Sequence, residues 1–357
     1  MSLNKPDTRL HRGTLQNPEV RYRQDSTQAE DDGWFGENIQ PSPVTQIIVD
    51  HSRSIISRNN SPDLPFSQSI NPYRGCEHGC IYCFARPSHA YLDMSPGLDF
   101  ETRILVKPDA AKLLRAELAK KNYVCSPIAL GSNTDPYQQV EIGQGITRQI
   151  IEVLAECRHP LSIVTKSALI ERDLDLLRPM AEQNLVEVMI SVTTLDKSLS
   201  MAMEPRAAAP ARRLKTIQRL RDAGVPVGVL FAPVIPFLND HEMESVLQAV
   251  ATAGAATAAY VLLRLPLEVD GLFQDWLQQH YPLKAARIMQ RVRDSRGGKN
   301  YDAEFGQRMS GTGHYADLIA QRFALAIKRY GLTDGYVAPD CSLFKPPVGE
   351  CGQMNLF

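Results

Sequence analysis

The chain has 357 residues, of which 43% are hydrophobic and 22% charged, with 39 Lys and Arg against 40 Asp and Glu. This length allows two domains or one large α/β domain, and this balance excludes a wholly disordered chain and a fibre. The net charge of −1 excludes a uniformly basic partner of nucleic acid but not a local basic groove.

The cysteine content and the apolar segments indicate a cytoplasmic protein. The chain contains seven cysteines, and residues 1–16 have no apolar stretch that would predict a secretory signal. Clustered thiols in a reducing compartment more often bind a metal or act in redox chemistry than form disulfides. The longest uncharged run, residues 246–263, includes Gln, Thr and Gly and predicts a helix end followed by a strand, not a membrane span.

In chain order, residues 1–65 are polar and weakly periodic, which predicts a partly disordered N-terminal extension. From residue 66 onward, short apolar runs alternate with helical windows. The predicted strands are 68–73, 127–131, 161–165, 186–192, 227–232 and 259–263. The predicted helices are 109–122, 144–157, 172–183, 211–223 and 240–253, with Asp109 and Asp240 as N-caps and Gly224 as a helix end.

Six apolar strands that alternate with helices predict an α/β fold, a partial (β/α)6 barrel over residues 66–280. Functional side chains are then expected at the C-terminal ends of the strands. Residues 281–338 predict a C-terminal helical region, and residues 339–357, which contain several Pro and Gly, predict an extended tail.

The first predicted strand leads into a loop that contains Cys76, Cys80 and Cys83. Two glycines in this loop allow the three thiols to face one point. Three thiolates can hold an iron–sulfur cluster with one iron left open, and an open metal position suits catalysis. A zinc site completed by His78 or His89, and three unconnected thiols, stay open as alternatives.

The spacing Cys-x3-Cys-x2-Cys, with Tyr82 before the last Cys, resembles the signature of the radical S-adenosylmethionine (SAM) superfamily. The resemblance implies a [4Fe-4S] cluster on the three cysteines, with SAM on the open iron. It also implies that one electron from an external electron donor cleaves SAM to methionine and a 5′-deoxyadenosyl radical that abstracts hydrogen from the substrate. Further segments resemble the spore photoproduct lyase-like group: residues 71–91, 95–104, 131–141, 161–167 and 224–236.

Short polar and cationic side chains follow the next strands. A turn of small residues after the second strand suits the amino group of SAM, although a plain turn ended by Pro136 gives the same pattern. In spore photoproduct lyases a Lys and a Ser contact SAM at positions that match Lys166 and Ser191, and the pair Glu204-Pro205 resembles a Glu-Pro pair of those lyases. The predicted cofactor-binding residues are Tyr82, Ser132, Asn133, Thr134, Lys166 and Ser191.

One position departs from the pattern of spore photoproduct lyases. Those enzymes carry a Cys where this chain has Ser132, and that thiol returns a hydrogen atom to the repaired thymine. A Ser O–H bond is too strong for this donation. We therefore expect an activity other than spore photoproduct repair, and the sequence assigns no catalytic residue.

Two segments carry a surplus of positive charge. Residues 204–221 hold six Lys and Arg against one Glu, and residues 284–308 hold seven against three acidic residues. Such runs are often solvated helix faces. If they flank the strand ends, they predict a basic rim that binds a nucleic-acid backbone.

The chain ends in QMNLF, and Gln353, Leu356 and Phe357 resemble the peptide by which bacterial replication and repair proteins bind the DNA sliding clamp. Such peptides act as extended segments whose Leu and Phe fill an apolar pocket. A terminal apolar residue that packs on the protein's own core is the alternative.

Together these features predict a cytoplasmic radical SAM enzyme that acts on nucleic acid, with a DNA lesion as the expected target. One alternative is a radical SAM enzyme for RNA, a peptide or a small metabolite. Another is a non-catalytic iron–sulfur or zinc protein that senses redox state and binds the clamp.

Overall fold

The structure, a computed structural model, describes residues 12–14, 17–22, 44–335 and 339–347. The strands of this part of the chain are β1 (Gln46–Val49), β2 (Ile56–Arg58), β3 (Gln68–Ile70), β4 (Tyr73–Arg74), β5 (Arg103–Val106), β6 (Ile128–Leu130), β7 (Leu161–Thr165), β8 (Val186–Ser191), β9 (Val227–Val234), β10 (Thr257–Leu262) and β11 (Thr333–Asp334).

The core is an eight-stranded sheet with the order β11-β10-β9-β8-β7-β6-β3-β2. Six of these strands lie side by side and parallel, in the same order as in the sequence: β3, β6, β7, β8, β9 and β10. This arrangement confirms the predicted α/β class and the open (β/α)6 arrangement. β2 pairs antiparallel with β3, and β11 pairs parallel with β10. All six residues of β8 are buried, so both faces of this central strand are covered.

A second sheet of three strands, in the order β1-β5-β4, was not predicted. The predicted strand 68–73 is broken, because Pro72 has no N–H to donate and the chain leaves the main sheet there. Beyond Pro72, Tyr73 and Arg74 pair with β5. Part of the predicted N-terminal extension is therefore ordered, since β1 and β2 each join a sheet.

Seven of the eleven α-helices in the described ranges lie where the sequence predicts helix. The other four, at residues 98–102, 141–144, 197–203 and 268–280, were not predicted. In chain order, the helices are α1 (Leu98–Thr102), α2 (Ala110–Leu118), α3 (Glu141–Gln144), α4 (Ile146–Glu156), α5 (Leu174–Ala181), α6 (Lys197–Met203), α7 (Pro210–Asp222), α8 (Met243–Ala253), α9 (Glu268–His280), α10 (Pro282–Asp294) and α11 (His314–Tyr330).

Helix ends follow the predicted signals in part. Gly224 adopts a φ of +79° just after α7, as expected for a C-terminal glycine. Asp109 is the N-cap of α2, but its side chain makes no capping hydrogen bond. Asp240 begins a short 3-10 helix that leads into α8 instead of capping α8 itself. None of the described helices combines the length and the apolar composition that a membrane span requires.

The last described segment, residues 339–347, lies at the edge of the sheet where the parallel strands begin. The Asp340 N–H donates to the Asn184 carbonyl, and the Lys345 N–H donates to the Cys157 carbonyl. Phe344 packs against the rings of Tyr123 and His159. The predicted clamp residues Gln353, Leu356 and Phe357 lie outside the described residues.

Candidate active site

The cysteine loop follows β4 at the carboxyl edge of the sheet. Gly75 and Gly79 turn it with φ of +81° and +67°, and a Cβ on Gly79 would lie 2.7 Å from Glu101 Oε2. Glycine is therefore required at Gly79 both by backbone conformation and by space. The turns leave Cys76 and Cys80 buried and Cys83 partly exposed, so the loop presents one thiol toward solvent.

Burial controls the chemistry of these thiols. It raises the pKa of the Cys76 thiol well above its usual value and raises the pKa of the Cys80 thiol to about 12. Both thiols therefore carry protons at neutral pH until a cation replaces them, and metal loading must release protons.

A buried carboxylate holds the loop in place. Glu101 is fully buried and accepts hydrogen bonds from Arg86 Nη2 at 2.6 Å, from the Gly13 N–H at 2.9 Å and from the Thr14 N–H at 3.1 Å. Arg86 in turn donates from Nε to the Cys80 carbonyl at 2.9 Å. One ion pair thus joins the N-terminal segment to the cysteine loop.

A second anchor lies on the other side of the loop. The side chain of Gln138 accepts from the Glu77 N–H at 2.9 Å and donates to the Gly75 carbonyl at 3.1 Å. The Glu77 carboxylate accepts from the Val140 N–H and from Thr45. The backbone of the cysteine loop is therefore fixed from both sides before any metal binds.

Asp135 connects the predicted SAM turn to the cysteine loop. Its carboxylate accepts from Thr165 Oγ1 and from the Lys166 N–H, both at 2.7 Å, and lies 3.3 Å from His78 Nδ1. Although burial opposes its charge, His78 and these hydrogen bonds lower its pKa to about 2. This carboxylate fixes the ends of two strands and the loop relative to one another.

The turn itself is arranged by Asn71. Asn71 Oδ1 accepts from the backbone N–H groups of Asn133 and Thr134, and Asn71 Nδ2 donates to Ser132 Oγ at 3.0 Å. The Thr134 hydroxyl donates to the Tyr73 carbonyl. Thr134 therefore uses its side chain for structure, whereas Asn133 stays exposed.

Lys166 and Tyr82 belong to a buried charged group. Lys166 Nζ lies 5.8 Å from the centre of the Tyr82 ring. Glu204 is buried, accepts hydrogen bonds from the Tyr82 hydroxyl and from Arg213, and stays ionised because Arg213 and Lys166 outweigh burial and lower its pKa. Arg213 also donates to the Ser191 carbonyl at 2.9 Å. Two cations share one carboxylate here, which leaves positive charge for an anionic ligand.

Ser191, at the end of β8, brings an unused hydroxyl to this edge. Ser191 Oγ and Thr193 Oγ1 are buried, and no described residue forms a hydrogen bond with either atom. A buried hydroxyl without a partner is costly in a protein alone. Both hydroxyls therefore fit a site whose ligand completes the hydrogen bonding.

The histidines next to the cysteines are occupied elsewhere. His78 pairs with Asp135, and His89 Nε2 faces the Arg103 carbonyl at 3.2 Å while its ring packs edge-on against Phe100. In the part of the chain that the structure describes, no three His, Cys, Asp or Glu side chains are placed to ligate a single metal ion. His78 and His89 therefore both have partners other than the three thiols in this structure.

The other described cysteines lie away from this site. Cys125 precedes β6 and Cys157 precedes β7, so both are at the amino edge of the sheet. Burial and the neighbouring Cys341 thiol raise the pKa of Cys125 to about 12. Among the described residues, no further thiol therefore reaches the cysteine loop to replace the hydrogen donor that Ser132 lacks.

The two basic segments differ in how their charge is used. In the first, ion pairs take up five of the six cations: Arg206 with Glu77, Arg212 and Arg219 with Glu171, Arg213 with Glu204, and Arg221 with Asp222. In the second, Arg291 pairs with Asp294 and Arg308 pairs with Asp63, whereas Lys284 and Arg287 are exposed on α10. Residues 284–308 therefore offer more exposed positive charge to a partner than residues 204–221 do.

Sequence reasoning missed Asp135, Arg86, Glu101 and Gln138 as supports of the site. Their signal in the sequence is weak: each is a charged or amide residue close to an apolar stretch. Only the fold shows that they are buried and that they face the cysteine loop.

Comparisons with known proteins bear on this arrangement. The sequence model of the radical SAM superfamily matches residues 70–250. An uncharacterized protein of Mycobacterium tuberculosis is 40% identical over 236 residues, 66% of this chain and 69% of the relative. An uncharacterized protein of Methanocaldococcus jannaschii is 27% identical over 213 residues, 60% of this chain and 76% of the relative.

Among solved structures, spore photoproduct lyase complexed with dinucleoside spore photoproduct is similar with a TM-score of 0.60. The match is 15% identical in sequence and covers 81% of this chain and 82% of the lyase. A mutant of the lyase with one cysteine changed to serine matches with a TM-score of 0.56 at 16% identity and the same coverage. At these identities the likeness concerns the fold.

Proposed function

Because the chain belongs to the radical SAM superfamily and is therefore a radical SAM enzyme, we propose that Cys76, Cys80 and Cys83 hold a [4Fe-4S] cluster whose open iron takes SAM. The family implies an iron–sulfur cluster and SAM, which when bound supply a 5′-deoxyadenosyl radical for hydrogen abstraction. The observation that carries the proposal is a shared location: the loop with the three thiols, the cation of Lys166 and the unpaired hydroxyl of Ser191 all lie at the carboxyl edge of the sheet.

The residues of the chain have separate roles in this proposal. Lys166 binds the carboxylate of SAM, because its neighbour Glu204 is already shared with Arg213. Ser191 supplies its buried hydroxyl to the same ligand. The backbone of Ser132–Asn133–Thr134 faces the amino group, and Tyr82 orients Lys166 through ring contact. Glu101 and Asp135 are positioning residues that keep the loop and the strand ends in register.

We further propose that the substrate is a nucleic acid. Lys284, Arg287 and Arg291 are spaced i, i+3 and i+7 on α10 and therefore share one helix face. The Arg287 guanidinium lies 4.0 Å from the centre of the Phe237 ring, and that of Arg291 lies 5.7 Å from it. Phe237 follows β9, so this basic and aromatic surface borders the carboxyl edge.

A groove of nucleotide size lies beside this surface. Its volume is about 490 Å³. Its walls combine cations that attract phosphate with an aromatic ring that can stack on a base, as in proteins that bind single strands. Its lining residues are Phe237, Asp240, His241, Lys284, Arg287 and Arg322.

The test of the chemistry is anaerobic. The purified protein is assayed for iron and sulfide, reduced with dithionite in the presence of SAM, and examined for 5′-deoxyadenosine. Cys80→Ala is compared with Cys157→Ala, a matched loss of a buried thiol at the other edge of the sheet. We expect four irons and 5′-deoxyadenosine in the wild type and in Cys157→Ala only. Stoichiometric zinc without iron, or full iron retention in Cys80→Ala, contradicts the proposal.

The test of the substrate class measures binding of a fluorescein-labelled single strand against salt. Replacing Lys284, Arg287 and Arg291 together by Gln should reduce the slope of log K against log salt by about 2. The control replaces Lys112, Lys120 and Lys121 by Gln, which changes the net charge equally near α2. Absence of any DNA or RNA binding, or equal slopes in both variants, favours a peptide or small metabolite instead.

A further inference from the structure

Arg264 lies two residues beyond β10, at the carboxyl edge of the sheet. Its guanidinium carbon is 5.2 Å from the centre of the Phe84 ring and 6.0 Å from that of the Tyr301 ring. Phe84 directly follows Cys83 in the chain. Arg264 is therefore held between two aromatic rings at the mouth of the cysteine loop.

The hydrogen bonds of Arg264 are few and weak for a guanidinium group. Nη2 donates to the Tyr301 hydroxyl at 3.3 Å, and Nη1 contacts the Met309 sulfur at 3.4 Å. Its Nε is buried without a hydrogen-bond acceptor. Within the described ranges, no carboxylate forms an ion pair with this cation, although partly buried cations are normally paired.

A second guanidinium group, that of Arg296, lies next to Arg264 and makes it more costly to hold the Arg264 cation without a counter-ion. Arg296 is buried, and burial together with repulsion from Arg264 lowers its pKa to about 10. Its Nη atoms donate to the carbonyls of Leu262, Leu263, Gln307 and Arg308. Arg296 therefore uses its donors on the backbone, whereas Arg264 has donors left for an anion.

We propose that Arg264 binds an anionic phosphate of the substrate while the neighbouring ring of Phe84 stacks on a base, so that the two residues form a nucleotide subsite beside the cysteine loop. The inference rests on the proposed nucleic-acid function and names where one nucleotide is held. Phe84 is 45% exposed, which leaves one side of the ring open for stacking. A planar guanidinium on an aromatic face is preorganised for a phosphate.

The carboxylate of SAM is the other anion expected at this edge. Lys166 stands at the third parallel strand of the core, whereas Arg264 follows the sixth. The two cations thus follow different strands and contact different rings, Lys166 that of Tyr82 and Arg264 that of Phe84. We assign the SAM carboxylate to Lys166 and the phosphate to Arg264. The experiment must separate these two sources of negative charge.

The experiment is calorimetric titration of the anaerobic, cluster-loaded protein with thymidine 5′-monophosphate, thymidine and SAM in turn. Arg264→Gln should weaken binding of the monophosphate about tenfold or more, since one charge-assisted contact is lost. It should leave the affinities for thymidine and SAM unchanged. Phe84→Leu should weaken the binding of both thymidine and its monophosphate. Arg178→Gln, an exposed change on α5, is the matched control, and Arg264→Lys tests charge without the planar group.

The outcomes separate the subsite from the proposed function. Equal affinity of the wild type and Arg264→Gln for the monophosphate overturns the subsite, and continued binding of the labelled single strand then leaves the proposed function standing. If Arg264→Gln loses SAM binding but not monophosphate binding, the subsite is also overturned, and Arg264 binds the carboxylate of SAM instead. A monophosphate site that depends on Arg264, in a protein that binds no DNA or RNA strand, supports the subsite and contradicts the nucleic-acid substrate.

Discussion

The buried ion pair between Arg86 and Glu101 supports the cysteine loop, and Glu101→Gln tests it. The change keeps the size of the side chain and removes its charge. Arg86 and Glu101 are both fully buried, so the variant leaves the guanidinium without its counter-ion. The new amide nitrogen must also face the donor N–H of Gly13 or of Thr14, or Arg86 itself.

The magnitude follows from burial. Breaking a buried pair by removing one partner costs about 3–5 kcal/mol, against a total stability of roughly 5–15 kcal/mol for a folded protein. With a urea dependence of about 3 kcal/mol per molar, the unfolding midpoint should fall by roughly 1 M or more. Iron retention should fall with it, because Arg86 holds the Cys80 carbonyl.

The assay is urea unfolding of the metal-free protein followed by circular dichroism. Glu156→Gln is the control, because Glu156 pairs with Arg115 on the surface at 2.5 Å and such pairs contribute about 0–1 kcal/mol. The double variant Glu101→Gln/Arg86→Met should recover part of the loss, since it removes the uncompensated charge. A midpoint for Glu101→Gln within the range of the Glu156→Gln control would refute the reasoning.

Three further predictions follow from the same structure. Lys166→Met should raise the Kd for SAM roughly tenfold in calorimetry without loss of iron, and an unchanged Kd would remove Lys166 from the site. Burial lowers the pKa of His159 to about 4 from an ordinary 6.5. The folded state therefore binds this proton at a lower pH than the unfolded state does. As the pH is lowered from about 6.5 to 4, the free energy of unfolding should fall by up to ~3 kcal/mol. His159→Gln should reduce this dependence of the free energy of unfolding on pH, measured by urea unfolding at several pH values. The same pH dependence in the variant and the wild type would show that another group causes the loss of stability. Deletion of residues 353–357 should abolish binding to an immobilised sliding clamp while 5′-deoxyadenosine production persists, because residues 339–347 attach at the opposite edge of the sheet; retained binding would reject the clamp peptide.

Local signals in the sequence were enough for the parallel core. The strand 186–192 and the helix 211–223 lie within a residue of β8 and α7, because continuous apolar runs and helical periodicity are encoded by neighbours in the chain. The cysteine motif is likewise local, since all three thiols lie within eight residues. The radical SAM family could therefore be identified from sequence.

Features that depend on distant parts of the chain could not be predicted in this way. The pairing of β1 with β5 joins segments that lie far apart in the sequence, and nothing within either strand specifies its partner. The same holds for the hydrogen bond from the Gly13 N–H to Glu101.

The sequence by itself determined the order of the strands, the position of the cysteine loop and the number of charges in each basic segment. Only the tertiary structure decided which charges are neutralised: Arg212 and Arg219 meet Glu171, whereas Arg264 meets two aromatic rings and no described carboxylate. The physical reason is that the energy of a charge depends on its burial and on its neighbours in space. Both are set by packing between elements that are remote in the chain.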